Sequence, residues 1–152
     1  MRPTLVIGVG NAARGDDRAG LEVARRLRAR GLPGTVVKES SGDVAGLLED
    51  WSGHDRVVMI DAASGGGPPG TVHRFEAHES PVPASLRCDS THSLGISQAV
   101  EMARALGRLP PRLTIYAIEG VSFGHGGRLS RAVRRAVGEV EGLLLRDLGA
   151  CA

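Results

Sequence analysis

The chain has 152 residues, 41% hydrophobic and 24% charged, which suits a single soluble globular domain spanning 1–152 with a core of its own. Nineteen basic residues against 17 acidic leave a charge of +2, too balanced for a nucleic-acid binder that works by counterion release, and 3% aromatics offer no platform for stacked bases. The two cysteines, Cys88 and Cys151, form no Cys-x-x-Cys pair, and no apolar stretch approaches the roughly 18 residues of a membrane span.

Met1-Arg2-Pro3-Thr4 runs straight into an apolar run with no signal-peptide pattern, so a cytoplasmic location is expected. Thr4 to Val9 reads as a strand covered on both faces. It breaks at Gly8-Val9-Gly10-Asn11 and leads to the acidic pair Asp16-Asp17, either of which can cap the next helix. That helix shows Gly20, Val23, Ala24 and Leu27 on one face and Arg25, Arg26, Arg28 and Arg30 outward, until Gly31 to Gly34 stops it. Thr35 to Lys38 is a second strand ending at Glu39, Val44 to Asp50 a short helix, and Arg56 to Ile60 a third strand ending at Asp61.

Ser64 to Gly70 is a Gly/Pro turn, and Thr71 to Glu76 alternates as an edge strand does. Ala77 to Cys88, with Pro81 and Pro83, is loop. His92 stands just before a helix from about Ser93 to Leu106, which Gly107 and Pro110 end. Leu113 to Ile118 is a fifth strand, and Glu119 to Gly127 a glycine-rich loop. Ser130 caps a last helix with the stripe Val133, Ala136, Val137, Val140, Leu143 and Leu144.

Strands alternating with helices imply an α/β fold: a three-layer α/β/α sandwich with a five-stranded, mostly parallel, twisted sheet and helices on both faces. Such sheets bind ligands beyond the carboxyl ends of their strands. Asp17, Glu39 and Asp61 follow the carboxyl ends of the first three strands, so three acids are expected at one edge.

Aspartate in a first turn is an ordinary cap, favoured by the helix dipole. A cap needs only one carboxylate, however, and two adjacent ones repel; a cation would relieve them. Asp61 is open to both readings, loop-facing acid or ligand. His92, in Asp89-Ser90-Thr91-His92-Ser93-Leu94-Gly95, is either structural or a ligand. A helix start disfavours the imidazolium, and the neutral ring is the form that binds metal. Together Asp17, Asp61 and His92 make three protein ligands with open positions, a catalytic pattern suited to zinc, nickel or another borderline divalent ion.

No His-Glu-x-x-His helix is present. Cys88 and His92, four apart, could form a thiol–imidazole couple, although a chance loop cysteine is the plainer reading. His125 could line the same edge or sit in a surface loop; His54, His73 and His78 read as peripheral.

At these residues the sequence resembles the hydrogenase maturation proteases, endopeptidases that trim the large subunit of nickel–iron hydrogenases. The matching pieces are Gly8-Val9-Gly10-Asn11 with Gly15-Asp16-Asp17, Ile60-Asp61-Ala62, Pro69-Gly70-Thr71, Thr91-His92-Ser93-Leu94-Gly95, and the Leu113 to Glu119 strand with its following loop. They run in order over nearly the whole chain. The resemblance implies a twisted five-stranded sheet between helices and a metal-binding, catalytic set of Asp17, Asp61 and His92. Asp16 is then a cap or auxiliary acid, and Glu39 a second auxiliary carboxylate that could activate water.

The implied partner is a large-subunit precursor that already carries nickel, and the implied reaction removes its C-terminal extension. The implied metal is the precursor's nickel, with zinc or another divalent ion as a substitute in the isolated protein, which is expected to be a monomer. Two positions depart from the family's usual pattern. Arg18 stands where many members have glycine, and Glu39-Ser40-Ser41 where many have an acid followed by two glycines.

Two other readings use the same residues. Gly8-Val9-Gly10-Asn11-Ala12-Ala13 fits the dinucleotide pattern Gly-x-Gly-x-x-Gly/Ala, and Glu39 could take a ribose. Against it, a pyrophosphate at this helix start would meet Asp16 and Asp17, and like charges about 4 Å apart cost roughly 4 kcal/mol at an effective dielectric near 20. The other is a non-catalytic metal-binding maturation factor.

Overall fold

Every residue of the opening apolar run after Thr4 is buried, and the run forms β1, Thr4–Val9. The computed structural model describes residues 2–64, 67–82, 91–121, 123–124 and 128–149, with the backbone alone for 91–95. The other strands are β2 (Thr35–Ser40), β3 (Arg56–Ala63), β4 (Val72–Glu76) and β5 (Arg112–Glu119). They form one five-stranded sheet in the order β2-β1-β3-β5-β4, parallel except for β4, which runs antiparallel to β5 at the edge.

Among the described residues four α-helices cover the sheet: α1 (Ala19–Arg30), α2 (Val44–Trp51), α3 (Thr91–Ala105) and α4 (Arg131–Gly149). Strand alternation sorts them. Leu5, Ile7, Val57, Met59, Leu113 and Ile115 pack with Leu47 and Trp51 of α2 and Val100 of α3. Val6, Val58, Ile60, Tyr116 and Ile118 pack with Val23 and Leu27 of α1 and Val137 and Leu144 of α4. The expected three layers and mostly parallel sheet are therefore present. Among the described residues no helix is long and apolar enough to cross a membrane.

Several boundaries differ from the sequence reading. A 3-10 turn, Gly15–Arg18, precedes α1, and neither aspartate caps that helix: the N-cap position of α1 is Arg18, without a side-chain cap bond. The capping role weighed for Asp16 and Asp17 is thus corrected. α3 begins at Thr91, which puts His92 inside its first turn. β3 runs through Asp61 to Ala63, because β5 continues to pair with it after β1 has ended.

Two caps stand where the chain needs them. The Gly46 N–H donates to Asp43 at 2.8 Å at the start of α2, and the Val133 N–H to the Ser130 hydroxyl at 3.4 Å at the start of α4. Ser130→Ala should cost about 0.5–1 kcal/mol of stability in a denaturant melt.

The strand order fixes where a ligand goes. From β1 the chain crosses to β2 on one side and then to β3 on the other. The crevice opened by such a reversal lies between β1 and β3, at their carboxyl ends. Helix α1 lies close over that point because its Gly20 meets the Val9 and Ile60 carbonyl oxygens, leaving no room for a Cβ.

Candidate functional site

The turn after β1 is built by Gly10. Its φ of 157° is one that side chains rarely adopt, and a Cβ there would overlap the carbonyl oxygen of Asp17. The chain folds back on itself tightly enough to bury Gly15, Asp16 and Asp17 in the 3-10 turn. The two aspartates have different surroundings. Asp16, 0% exposed, accepts from the Ser130 N–H at 2.7 Å through Oδ1 and from the Val121 N–H at 2.9 Å through Oδ2. It ties the opening turn to the segment between β5 and α4.

Asp17 is also buried and lies close to Asp61 on the far side of the crevice. Register explains the meeting: β1 pairs with β3 as far as Gly8 beside Ile60, and Asp61 is the first residue of β3 past that pairing. Asp61 is buried and accepts the Ala62 N–H at 2.8 Å. Burial pushes its acidity constant well above the usual carboxylate range; the Ala62 N–H opposes this, and the nearby Asp17 charge adds to it. Beside it is a cavity of about 30 Å³ lined by Asp61, Ser97, Phe75, Ala117 and others, room for about one water.

Two neighbouring carboxylates in a buried corner are chemistry that a divalent cation satisfies. His92, the third expected ligand, lies in the first turn of α3, four residues before Ile96, which lines the cavity beside Asp61. Its side chain is outside what the structure describes. Among the described residues no group of three His, Cys, Asp or Glu side chains forms a metal cluster. Cys88 and His125 lie outside the described residues.

Glu39 does not join the acids, which corrects the expectation of three at one edge. It lies within β2, level with Gly8, and its carboxylate meets Arg25 at 3.1 Å and Arg28 at 2.9 Å on α1. Alternation explains this: Glu39 follows Val37 onto the α1 side, whereas Asp61 follows Met59 onto the α3 side. Partial burial would raise the Glu39 acidity constant, but the hydrogen bonds and charges of Arg28 and Arg25 outweigh it and hold the group below its ordinary value.

One pair escaped the sequence reading. Glu119 is buried and bonds His73 Nε2 at 3.0 Å. His73 shares its face of β4 with Phe75, a member of the α3-side core, so period-2 alternation could have placed it on the Asp61 side rather than at the periphery.

Comparison with known proteins narrows the meaning of this geometry. A family model described as hydrogenase maturation protease matches residues 33–147, a span that includes Asp61 and His92 and starts after the Asp16-Asp17 turn. The hydrogenase 2 maturation protease of Escherichia coli (strain K12) is 30% identical over 117 residues, 75% of this chain and 71% of the relative. The hydrogenase expression/formation protein HupD of Thiocapsa roseopersicina is 27% identical over 136 residues, 88% of this chain but 62% of its own length, so the chain spans under two thirds of that relative.

Among solved structures, the hydrogenase maturating endopeptidase HybD from E. coli superposes with a TM-score of 0.78 at 25% identity, covering 99% of this chain and 94% of that one. The [NiFe] hydrogenase maturation protease HybD from Thermococcus kodakarensis gives 0.71 at 23% identity, covering 96% and 99%, and supports the fold.

Proposed function

The chain belongs to the hydrogenase maturation protease family, and from that membership we propose that it is an endopeptidase that removes the C-terminal extension of a nickel-loaded hydrogenase large-subunit precursor. The observation that carries the proposal is the buried pair Asp17 and Asp61, two carboxylates at the crevice between β1 and β3 whose repulsion a divalent ion would turn into attraction.

In this reading the metal belongs to the substrate. Nickel held in a precursor that has not yet closed has open positions, and Asp17, Asp61 and His92 would complete its shell. Docking then depends on metal insertion, so an empty precursor is left uncut. Water adds to the carbonyl of the peptide bond held at the crevice, and the C–N bond breaks to free the tail. Asp16 is committed to the Ser130 and Val121 amides and Glu39 to two arginines. Neither suits the role of free auxiliary base weighed from the sequence.

A matching expectation is that Glu39→Gln leaves cleavage within about twofold and changes stability by less than about 1 kcal/mol, as for other part-exposed ion pairs. A rate assay with a parallel thermal melt checks it.

The decisive experiment mixes the protein with nickel-loaded large-subunit precursor and follows the precursor's mass. Loss of a C-terminal peptide, absent with nickel-free precursor, is the expected result. Complex formation with unchanged mass would instead favour the non-catalytic maturation factor that the same ligands could serve.

A further inference from the structure

A second buried carboxylate occupies the sheet face that holds Asp61. The β3–β5 register sets Asp61 beside Ala117 and Ala63 beside Glu119, while β4 sets His73 beside Ala117. Asp61, Ala117 and His73 therefore form one row across three strands, with Glu119 one step nearer the carboxyl ends. Their parity with Met59, Ile115 and Phe75 directs all of them to the α3 side. Two strand spacings put the backbones of Asp61 and His73 about 10 Å apart. The residues between them, Ala63 and Ala117, pack on each other. Both are buried, and both line the one-water cavity beside Asp61.

The His73–Glu119 pair differs from an ordinary surface ion pair. The acid is buried, its side chain 3% exposed, while the imidazole is 36% exposed. An ionised carboxylate only accepts, so Nε2 carries the hydrogen at 3.0 Å and Nδ1 is left as the ring's basic nitrogen. Among the described residues the ring makes no other hydrogen bond. A buried acid that fixes the tautomer of a solvent-facing imidazole is an arrangement for moving a proton.

Resting on the endopeptidase reading above, we infer that His73 is the proton-transfer residue of the peptide hydrolysis and that Glu119 is its positioning residue. As the water oxygen bonds to the scissile carbonyl carbon, one water proton passes to His73 Nδ1. As the C–N bond breaks, that proton passes to the departing nitrogen. The trimmed subunit gains a carboxyl group, the tail leaves as a free amine, and the ring returns to neutral. Glu119 stabilises the transient imidazolium.

The test is steady-state cleavage of nickel-loaded precursor by the wild type, His73→Ala, His73→Gln and Glu119→Gln. Both His73 variants should lose about 10²-fold or more in kcat with KM within about twofold, and Glu119→Gln about tenfold in kcat. Added imidazole should recover part of the lost rate in His73→Ala and none in His73→Gln, whose side chain fills the place. Thermal melts keep the two roles separate, since His73→Gln should melt with the wild type. A His73→Gln kcat within about threefold of wild type, or a loss confined to KM, overturns the inference while leaving the endopeptidase reading standing. A wild-type protein that binds the precursor and leaves it uncut overturns both.

Discussion

Asp61→Asn is expected to abolish cleavage of the nickel-loaded precursor and, at the same time, to make the protein harder to melt. The amide fills the same space and can still accept the Ala62 N–H that Asp61 Oδ1 accepts at 2.8 Å. It carries no charge, and charge is what burial penalises at this position, with the neighbouring Asp17 adding to the penalty. The sign follows directly. Because the folded acidity constant of Asp61 is raised above its unfolded value, its contribution to stability is fully present below about pH 4 and is lost as pH rises through the raised folded value.

At pH 7 the wild type carries a burial penalty that Asp61→Asn lacks. The variant should gain at least about 1 kcal/mol, roughly 2–4 °C for a chain of this size. The gap should close as pH falls below about 4. Added nickel(II) or zinc(II) should raise the wild-type midpoint, because an ion bound only by the folded state stabilises it, and should leave Asp61→Asn unmoved. Melts from about pH 3 to 8, with and without metal, read all of this. A variant that melts below wild type at pH 7, or that still cuts, defeats the assignment. Stability given up at a site that needs charge is the usual signature of function.

The layers were legible because apolar runs such as Thr4–Val9 and Arg56–Ile60 admit little else, and the glycine break after β1 announced a tight turn. What eluded the sequence was settled by distant partners. Asp61 looked like the residue after a strand. It is in the strand because β5, more than fifty residues later, keeps pairing as far as Glu119. Glu39 looked like a site acid because it ends an apolar run, but its side chain shares a face with Val37, and Arg25 and Arg28 hold it from α1. Alternation alone could have separated it from Asp61. His73 was legible by the same rule, through its parity with Phe75, but its worth depended on Glu119 being buried, which only the packed sheet shows. The role of Asp16 was out of reach, since both its amide partners lie more than 100 residues away.

Asp16→Ala should therefore behave unlike any change at its neighbour Asp17. The buried carboxylate closes two part-buried hydrogen bonds, to Ser130 at 2.7 Å and Val121 at 2.9 Å. Removing it leaves both N–H groups without that partner, so a loss of about 1–3 kcal/mol and a midpoint about 5 °C lower are expected. Asp16→Asn should fall between, because its one remaining oxygen can satisfy only one amide while its NH₂ faces the other. Hydrogen exchange should quicken at the Val121 and Ser130 amides in both variants.

Asp17→Ala removes one of two crowded buried charges, so it should melt no lower than wild type while losing cleavage. Activity alone would not tell these neighbours apart, since a loosened β5–α4 segment also disturbs the crevice. The melting midpoint does: the acid whose loss unfolds the turn is the clasp, and the acid whose loss leaves the fold standing and the precursor uncut is the ligand. An Asp16→Ala protein that melts with the wild type would remove the clasp and return Asp16 to the candidates for chemistry.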